Sequence, residues 1–166
     1  MDLRCLEGVP RASVHVKQMA IPARRISPSE EGEWLRLRQA LWPNASRARL
    51  GAEAGEYREA PHTHVVFVVA RPDGRLSGFA ELRLRSQADG CSSSPVAYLE
   101  GWYVEPDMRK LGAGRALVTA AENWARERGC QEFASDSYLD NEDARAAHRA
   151  LGFEERRPIV QFRKRL

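Results

Sequence analysis

The chain of 166 residues carries one segment whose residue types and spacing suit anion chemistry, Arg109-Lys110-Leu111-Gly112-Ala113-Gly114 with Arg115 behind it. It follows directly on the apolar run Val96–Val104 and opens a helical pattern in which Ala113, Leu117, Ala120 and Trp124 share one face. A glycine turn between strand and helix leaves several backbone N–H groups unpaired and aimed the same way. With the positive end of the helix dipole they make a seat for phosphate. Gly112 and Gly114 would let the backbone approach the anion with no Cβ in the way, and Arg109, Lys110 and Arg115 add positive charge. The bland alternative is an ordinary strand–helix connection. No Gly-Lys-Ser/Thr ends the segment, so a Walker loop is excluded, and Arg109 stands where the dinucleotide fingerprint needs its first glycine. Nucleotide hydrolysis and hydride transfer both lose ground.

Two carboxylates are the other candidates. Glu100 sits inside the apolar run, where an acid is costly without a partner. Asp136 ends the next strand, where open α/β sheets present groups to ligands. Each has a structural alternative: a salt bridge to a core-facing arginine for Glu100, a turn or cap ahead of Ser137 for Asp136. Trp42, before Pro43, either plugs the core or offers its ring to a ligand. Cys5, Cys91 and Cys130 lack metal-ligand spacing and a plausible nucleophile setting, so no metal and no acyl-enzyme are expected.

The elements that must position these groups follow from periodicity and punctuation. Residues 1–22 read as an N-terminal extension, and residues 23–166 as one domain. A short strand over Arg24–Ile26 meets Ser27-Pro28-Ser29-Glu30, which has the form of a capping box. The helix it opens runs to Leu41 with Trp34, Leu37, Arg38 and Leu41 along one side, and Pro43 ends it. Residues 46–60 are helical but weakened by Gly51 and Gly55. Val65–Ala70 is a strand apolar on both faces, hence central. Asp73-Gly74 turns the chain into the strand Arg75–Arg85. After the loop Ser86–Pro95 come strand 96–104, the glycine loop, a helix to Arg128, the strand Gln131–Ser135, the helix Glu142–Leu151 and a last strand near Val160–Arg163. The fold class is α/β, a central mixed sheet flanked by about four helices, with one β-α-β unit.

Composition bounds the rest. The length suits one domain with a full core, and 43% hydrophobic with 30% charged residues is the balance of a globular protein. The net charge of +3, from 26 basic and 23 acidic residues, is spread along the chain and does not point to nucleic acid. Three cysteines that cannot all pair and the lack of a long apolar run give a cytoplasmic expectation, with no membrane partner.

The order of elements around the Arg-x-x-Gly-x-Gly segment resembles the GCN5-related N-acetyltransferase superfamily. Asn141, Ala144 and His148-Arg149-Ala150-Leu151-Gly152-Phe153 are similar to its Asn-x-x-Ala…Leu-Gly-Phe segment. The resemblance implies acetyl-CoA as co-substrate, with its pyrophosphate on the N–H groups from Lys110 through Leu111, Gly112, Ala113 and Gly114 to Arg115. The pantetheine arm would then lie along Trp102, Tyr103 and Val104, with Asn141 bonding nearby. Leu41-Trp42-Pro43, Tyr98-Leu99-Glu100-Gly101, Gly129-Cys130, Phe133-Ala134-Ser135-Asp136, His148 and Leu151-Gly152-Phe153-Glu154-Glu155 together resemble the aminoglycoside 6′-N-acetyltransferases, over about residues 24–166. This implies a polycationic amine substrate held by Trp42, Gln87, Glu100 and Asp136, and a homodimer. Two positions depart from that family: Gln87 replaces an aromatic residue, and Arg157 stands where relatives carry an acid.

The implied reaction is direct attack of a substrate amine on the acetyl thioester, with Asp136 as base and a backbone N–H near Trp102–Val104 as oxyanion donor. His148 stands where the superfamily commonly has tyrosine, and is either an acid for the departing thiolate or a structural helix residue. The rival readings are transfer to another amine (a polyamine, a metabolite, a protein N-terminus) and a non-catalytic acetyl-CoA-binding module.

Overall fold

The computed structural model describes residues 21–165. Most of the expected N-terminal extension, including Cys5, lies outside them. Five strands form one sheet in the order β1-β2-β3-β4-β5: β1 Arg24–Arg25, β2 His64–Ala70, β3 Leu76–Arg85, β4 Val96–Val104 and β5 Phe133–Ser135. The first four pair antiparallel; β5 returns parallel to β4 after a helical crossover. The helices are α1 Glu31–Leu41, α2 Arg47–Glu59, α3 Ala113–Glu127 and α4 Glu142–Ala150. The capping box forms, with Ser27 N donating to Glu30 Oε2 at 2.9 Å, but its first turn, Pro28–Glu30, is 3₁₀ before α1 begins.

The sheet is covered on both faces, as the doubly apolar β2 requires. Val65, Phe67 and Val69 face α3, meeting Leu117, Ala121 and Trp124, while Val66 and Val68 face Trp34 and Leu37 of α1 with Ala54 and Tyr57 of α2. Gly51 and Gly55 do not break α2, because Leu50, Ala54 and Tyr57 bury its inner side. Tertiary burial outweighs the roughly 1 kcal/mol that each helical glycine costs.

The last strand expected near Val160–Arg163 is absent. Residues 153–165 carry no helix or strand, and Ile159, Val160 and Phe162 are exposed. The alternating residues are there, but no neighbouring strand supplies hydrogen bonds to them.

One irregularity governs everything that follows. The β3–β4 register passes from Leu82↔Leu99 to Glu81↔Gly101, so Glu100 is an extra residue, a β-bulge. Alternation shifts by one place there. Ala97, Leu99, Trp102 and Val104 pack on the α3 side, while Tyr103 packs on the α1 side. Glu100 and Gly101 consequently both turn towards α1.

Candidate active site

Strands β4 and β5 part where the site begins. They pair only over Ala97↔Phe133, Tyr98↔Ala134 and Leu99↔Ser135. Beyond this point Trp102, Tyr103 and Val104 are paired on one side alone, to Ala80, Phe79 and Gly78 of β3. Ser135 Oγ lies 3.2 Å from the Leu99 carbonyl and 3.1 Å from His148 Nε2, its single proton able to serve either. His148 Nδ1 sits 2.7 Å from the Ala144 carbonyl. With both ring nitrogens engaged and Trp102 and Phe153 edge-on to the ring, the structural reading of His148 gains over the acid.

The glycine turn is built as an open helix start. Gly112 is the N-cap of α3, left-handed with φ +98°, and no side chain caps it. The first intrahelical bond runs from Ala116 N to Gly112 O at 2.9 Å, so the N–H groups of Gly112, Ala113, Gly114 and Arg115 precede the ladder. Lys110 also adopts positive φ, 61°. The two glycines serve different ends. A Cβ on Gly112 would meet only open space, so that position needs glycine for its dihedral; a Cβ on Gly114 would fall 2.9 Å from Trp102 Cζ2. Gly114 therefore leaves room for the Trp102 ring. Among the flanking cations, Arg109 turns back, its Nε donating to the Val104 carbonyl at 2.9 Å, and Arg115 reaches the Ala150 carbonyl at 3.3 Å. Leu111 and Lys110 are exposed. Asn141 caps α4, its Oδ1 accepting from Ala144 N at 3.1 Å. An uncapped row of N–H donors beside a one-sided strand edge fits the phosphate and amide groups of an acyl-CoA.

The acids lie on the other side of the parting strands. Asp136 follows β5 and is exposed; its Oδ1 accepts from the Tyr98 hydroxyl at 2.9 Å. Burial, then the hydrogen bond to Asp136, push the Tyr98 hydroxyl well above its ordinary range, which keeps it a donor. Glu100 is paired with Arg85, whose Nη2 lies 2.8 Å from both carboxylate oxygens. The guanidinium stacks on Tyr98, 3.4 Å from the ring centroid. Glu100 is thus salt-bridged, but to a part-exposed arginine and not to a core-facing one, and Asp136 makes a tyrosine contact. Trp42 packs on Gly101, where a Cβ would stand 2.6 Å from Trp42 Cη2, and Arg38 covers its ring at 5.0 Å. Gln87 and Arg157 are both exposed.

Beneath this layer is a buried polar cluster that the sequence reading did not single out. Glu81 accepts from Trp34 Nε1 at 3.1 Å and from Arg38 Nη2 at 3.2 Å. Arg38 Nε is also 3.0 Å from Glu81, close but out of hydrogen-bond line. Arg38 reaches on to the Leu50 carbonyl and to Glu53. Burial raises the Glu81 carboxyl to about 7 against the pull of Arg38. The available signal was the charge alternation Glu81, Arg83, Arg85 along one face of β3.

A mixed sheet whose fourth and fifth strands separate over an uncapped glycine turn defines an acyl-CoA N-acyltransferase. Residues 33–153 match the Acetyltransferase (GNAT) family, and the chain belongs to it. It is 43% identical over 86% of its length to an aminoglycoside N(6′)-acetyltransferase type 1 of Klebsiella aerogenes, covering 95% of that protein. The Stenotrophomonas maltophilia relative of the same name is 44% identical, over 84% of this chain and 90% of that protein. Among solved structures, AAC(6′)-Iy in complex with the bisubstrate analogue CoA-S-monomethyl-acetylneamine superposes with a TM-score of 0.81 at 34% identity, over 87% of this chain and 97% of that one. The chain belongs with these enzymes to the aminoglycoside 6′-N-acetyltransferase group of the family.

Proposed function

We infer that the chain is an aminoglycoside 6′-N-acetyltransferase: it transfers the acetyl group of acetyl-CoA to the 6′-amine of an aminoglycoside, and so confers resistance. The observation that carries this reading is the parting of β4 and β5 at Leu99 and Ser135, with N–H donors on one side and Glu100 and Asp136 on the other. Acetyl-CoA supplies the activated acetyl thioester. The open N–H groups from Gly112 to Arg115 hold its pyrophosphate, helped by Arg109, Lys110 and Leu111 of the same turn. Trp102, Tyr103 and Val104 offer their one-sided backbone to its amide arm, and Asn141 contributes its free amide N–H₂. A backbone N–H of this strand polarises the thioester carbonyl.

On the amine side, Glu100 and Asp136 hold ammonium groups, with Trp42 and Gln87 at the margins. A neighbouring carboxylate keeps an ammonium charged, which opposes attack. Asp136 meets this by taking the amine proton as the bond forms, directly or through water. Its Oδ1 is held by Tyr98, which leaves Oδ2 for that task. Binding both substrates side by side supplies much of the acceleration.

The working unit we propose is residues 23–166 as a homodimer in the cytoplasm. Ile159, Val160 and Phe162 are exposed, carry a strand pattern and pair with no strand among the described residues, which supports pairing with a second copy. Free Cys91 and Cys130 support a reducing compartment.

The test is thiol release from acetyl-CoA with kanamycin, tobramycin and spermidine as separate acceptors. Turnover on the two drugs and not on spermidine is expected; turnover on spermidine alone, or on none, overturns the reading. Asp136→Asn should lower kcat about a hundredfold, and a rate within a few-fold of the parent removes Asp136 as base.

A further inference from the structure

We propose that Arg85 is a built-in counter-cation that competes with the polycationic substrate for Glu100, and so sets how strongly and how selectively the amine pocket binds. The proposal rests on the aminoglycoside reading above and names a determinant within that site.

Arg85 is the last residue of β3, opposite Val96 at the start of β4. From there its side chain runs along the sheet face to the bulge. Its Nη2 donates to both oxygens of Glu100 at 2.8 Å, and its Nε donates to Oε1 at 3.0 Å. Such a fork fills the carboxylate edge that an ammonium group would use. The same guanidinium lies flat on Tyr98, the residue whose hydroxyl holds Asp136. One cation therefore neutralises the first acid of the pocket and covers the support of the second.

The surroundings separate this pair from a structural one. The Arg85 and Glu100 side chains are 39% and 20% exposed, so water and ligand reach both. Arg83 is a looser neighbour, with Nε 3.7 Å from Glu100, and it is committed to Glu56 at 2.7 Å. If Arg85 leaves Glu100, its head moves from the Tyr98 ring into water, and both partners are already part-exposed. An ammonium of the substrate can then take its place. A substrate with several ammonium groups displaces Arg85 more readily than one with a single charge, so the exchange favours polycations. It also lowers the pocket's attraction for stray monovalent amines.

The experiment measures KM and kcat for kanamycin, and KM for acetyl-CoA, in the parent, Arg85→Gln, Arg85→Lys and the Arg85→Gln/Glu100→Gln pair. Arg85→Gln frees Glu100 and should lower KM for kanamycin about three- to tenfold, the scale of one partly screened charge. KM for acetyl-CoA should stay put. Arg85→Lys keeps the charge and loses the fork, so its KM should fall by less. In the double variant the gain should vanish, because there is no Glu100 to free. Activity on a monoamine such as butylamine should rise in Arg85→Gln relative to kanamycin. An unchanged or higher kanamycin KM in a folded Arg85→Gln variant overturns the proposal and makes Arg85 a support for Glu100. If Arg85→Gln does not fold, Arg85→Lys decides by the same sign. A parent inactive on kanamycin overturns the aminoglycoside reading itself; an active parent with unmoved variants overturns only the assignment to Arg85.

Discussion

Arg38–Glu81 and Arg85–Glu100 are the same chemistry set four residues apart along β3. Glu81 is 1% exposed and answers to Trp34 and Arg38, whose guanidinium also reaches Leu50 and Glu53. Glu100 stands beside it across the sheet, turned the same way by the bulge, yet its side chain is 20% exposed and its arginine lies open to water. In the sealed pair, removing Glu81 leaves the buried Arg38 with Glu53 alone as a counter-charge and Trp34 Nε1 without its acceptor, out of reach of solvent. In the open pair the partners trade with water at little cost. Burial separates the two arginine–glutamate pairs, closing one inside the scaffold and leaving the other open to water.

The contrast breaks most visibly at Glu81. Glu81→Ala should cost about 3–5 kcal/mol in urea unfolding, and a loss under about 1 kcal/mol would put the two pairs in one class. Next in size is Gly101→Ala, which sets a methyl group against Trp42 at the junction of the two pairs. Overpacking of that kind should lower stability by about 1–3 kcal/mol, and the tryptophan fluorescence should shift as the ring moves; an unmoved spectrum with parent stability contradicts the packing. For the open pair, Glu100→Gln should raise KM for the aminoglycoside about tenfold, equivalent to about 1.4 kcal/mol, with the thermal midpoint almost unmoved. A large fall in the midpoint would show that Glu100 belongs to the scaffold.

The smallest effect is in pH. Burial lifts the Glu81 carboxyl from 4.5 to about 7. The folded state therefore binds the extra proton, and this group's contribution is full below 4.5 and falls as pH rises through 7. Urea midpoints should decline over that window in the parent, and the decline should flatten in Glu81→Gln. Equal slopes would remove Glu81 as the cause. Acids lowered by surface arginines, such as Glu30 at about 2, act below the window and with opposite sign.

Much of this was legible in the sequence, for reasons that can be named. The capping box at Ser27, the doubly apolar β2 and the glycine turn at Gly112 are local signals, each read from a few adjacent residues. The acids Glu100 and Asp136 were pointed to by the resemblance to the aminoglycoside 6′-N-acetyltransferases, and their places at a strand centre and a strand end agreed with it. The bulge did not show, because Leu99-Glu100-Gly101-Trp102 reads as plain alternation until the partner strand is known. Arg85 was missed for a related reason: its partner lies 15 residues on, across a serine-rich loop that hides the register. The contact of Gly114 with Trp102 was not legible either, because it joins a strand residue to a helix start across the sheet face. The strand read at 160–163 has the right residues and no neighbour, and a strand is a property of two segments rather than one.

The single extra residue at Glu100 also works as a frame shift within the strand. Before it, odd-numbered positions of β4 pack on the α3 side; after it, even-numbered ones do. One continuous strand can thus turn Glu100 towards Arg85 on one face and, two residues later, send Trp102 to the opposite side against the glycine turn. Length is therefore a coded quantity here. Excising Glu100 would do more than delete an acid, for it would restore the regular count and turn Tyr103 and Val104 inside out. Any grafting or shuffling of this strand among its relatives must preserve that odd residue before it preserves any particular side chain.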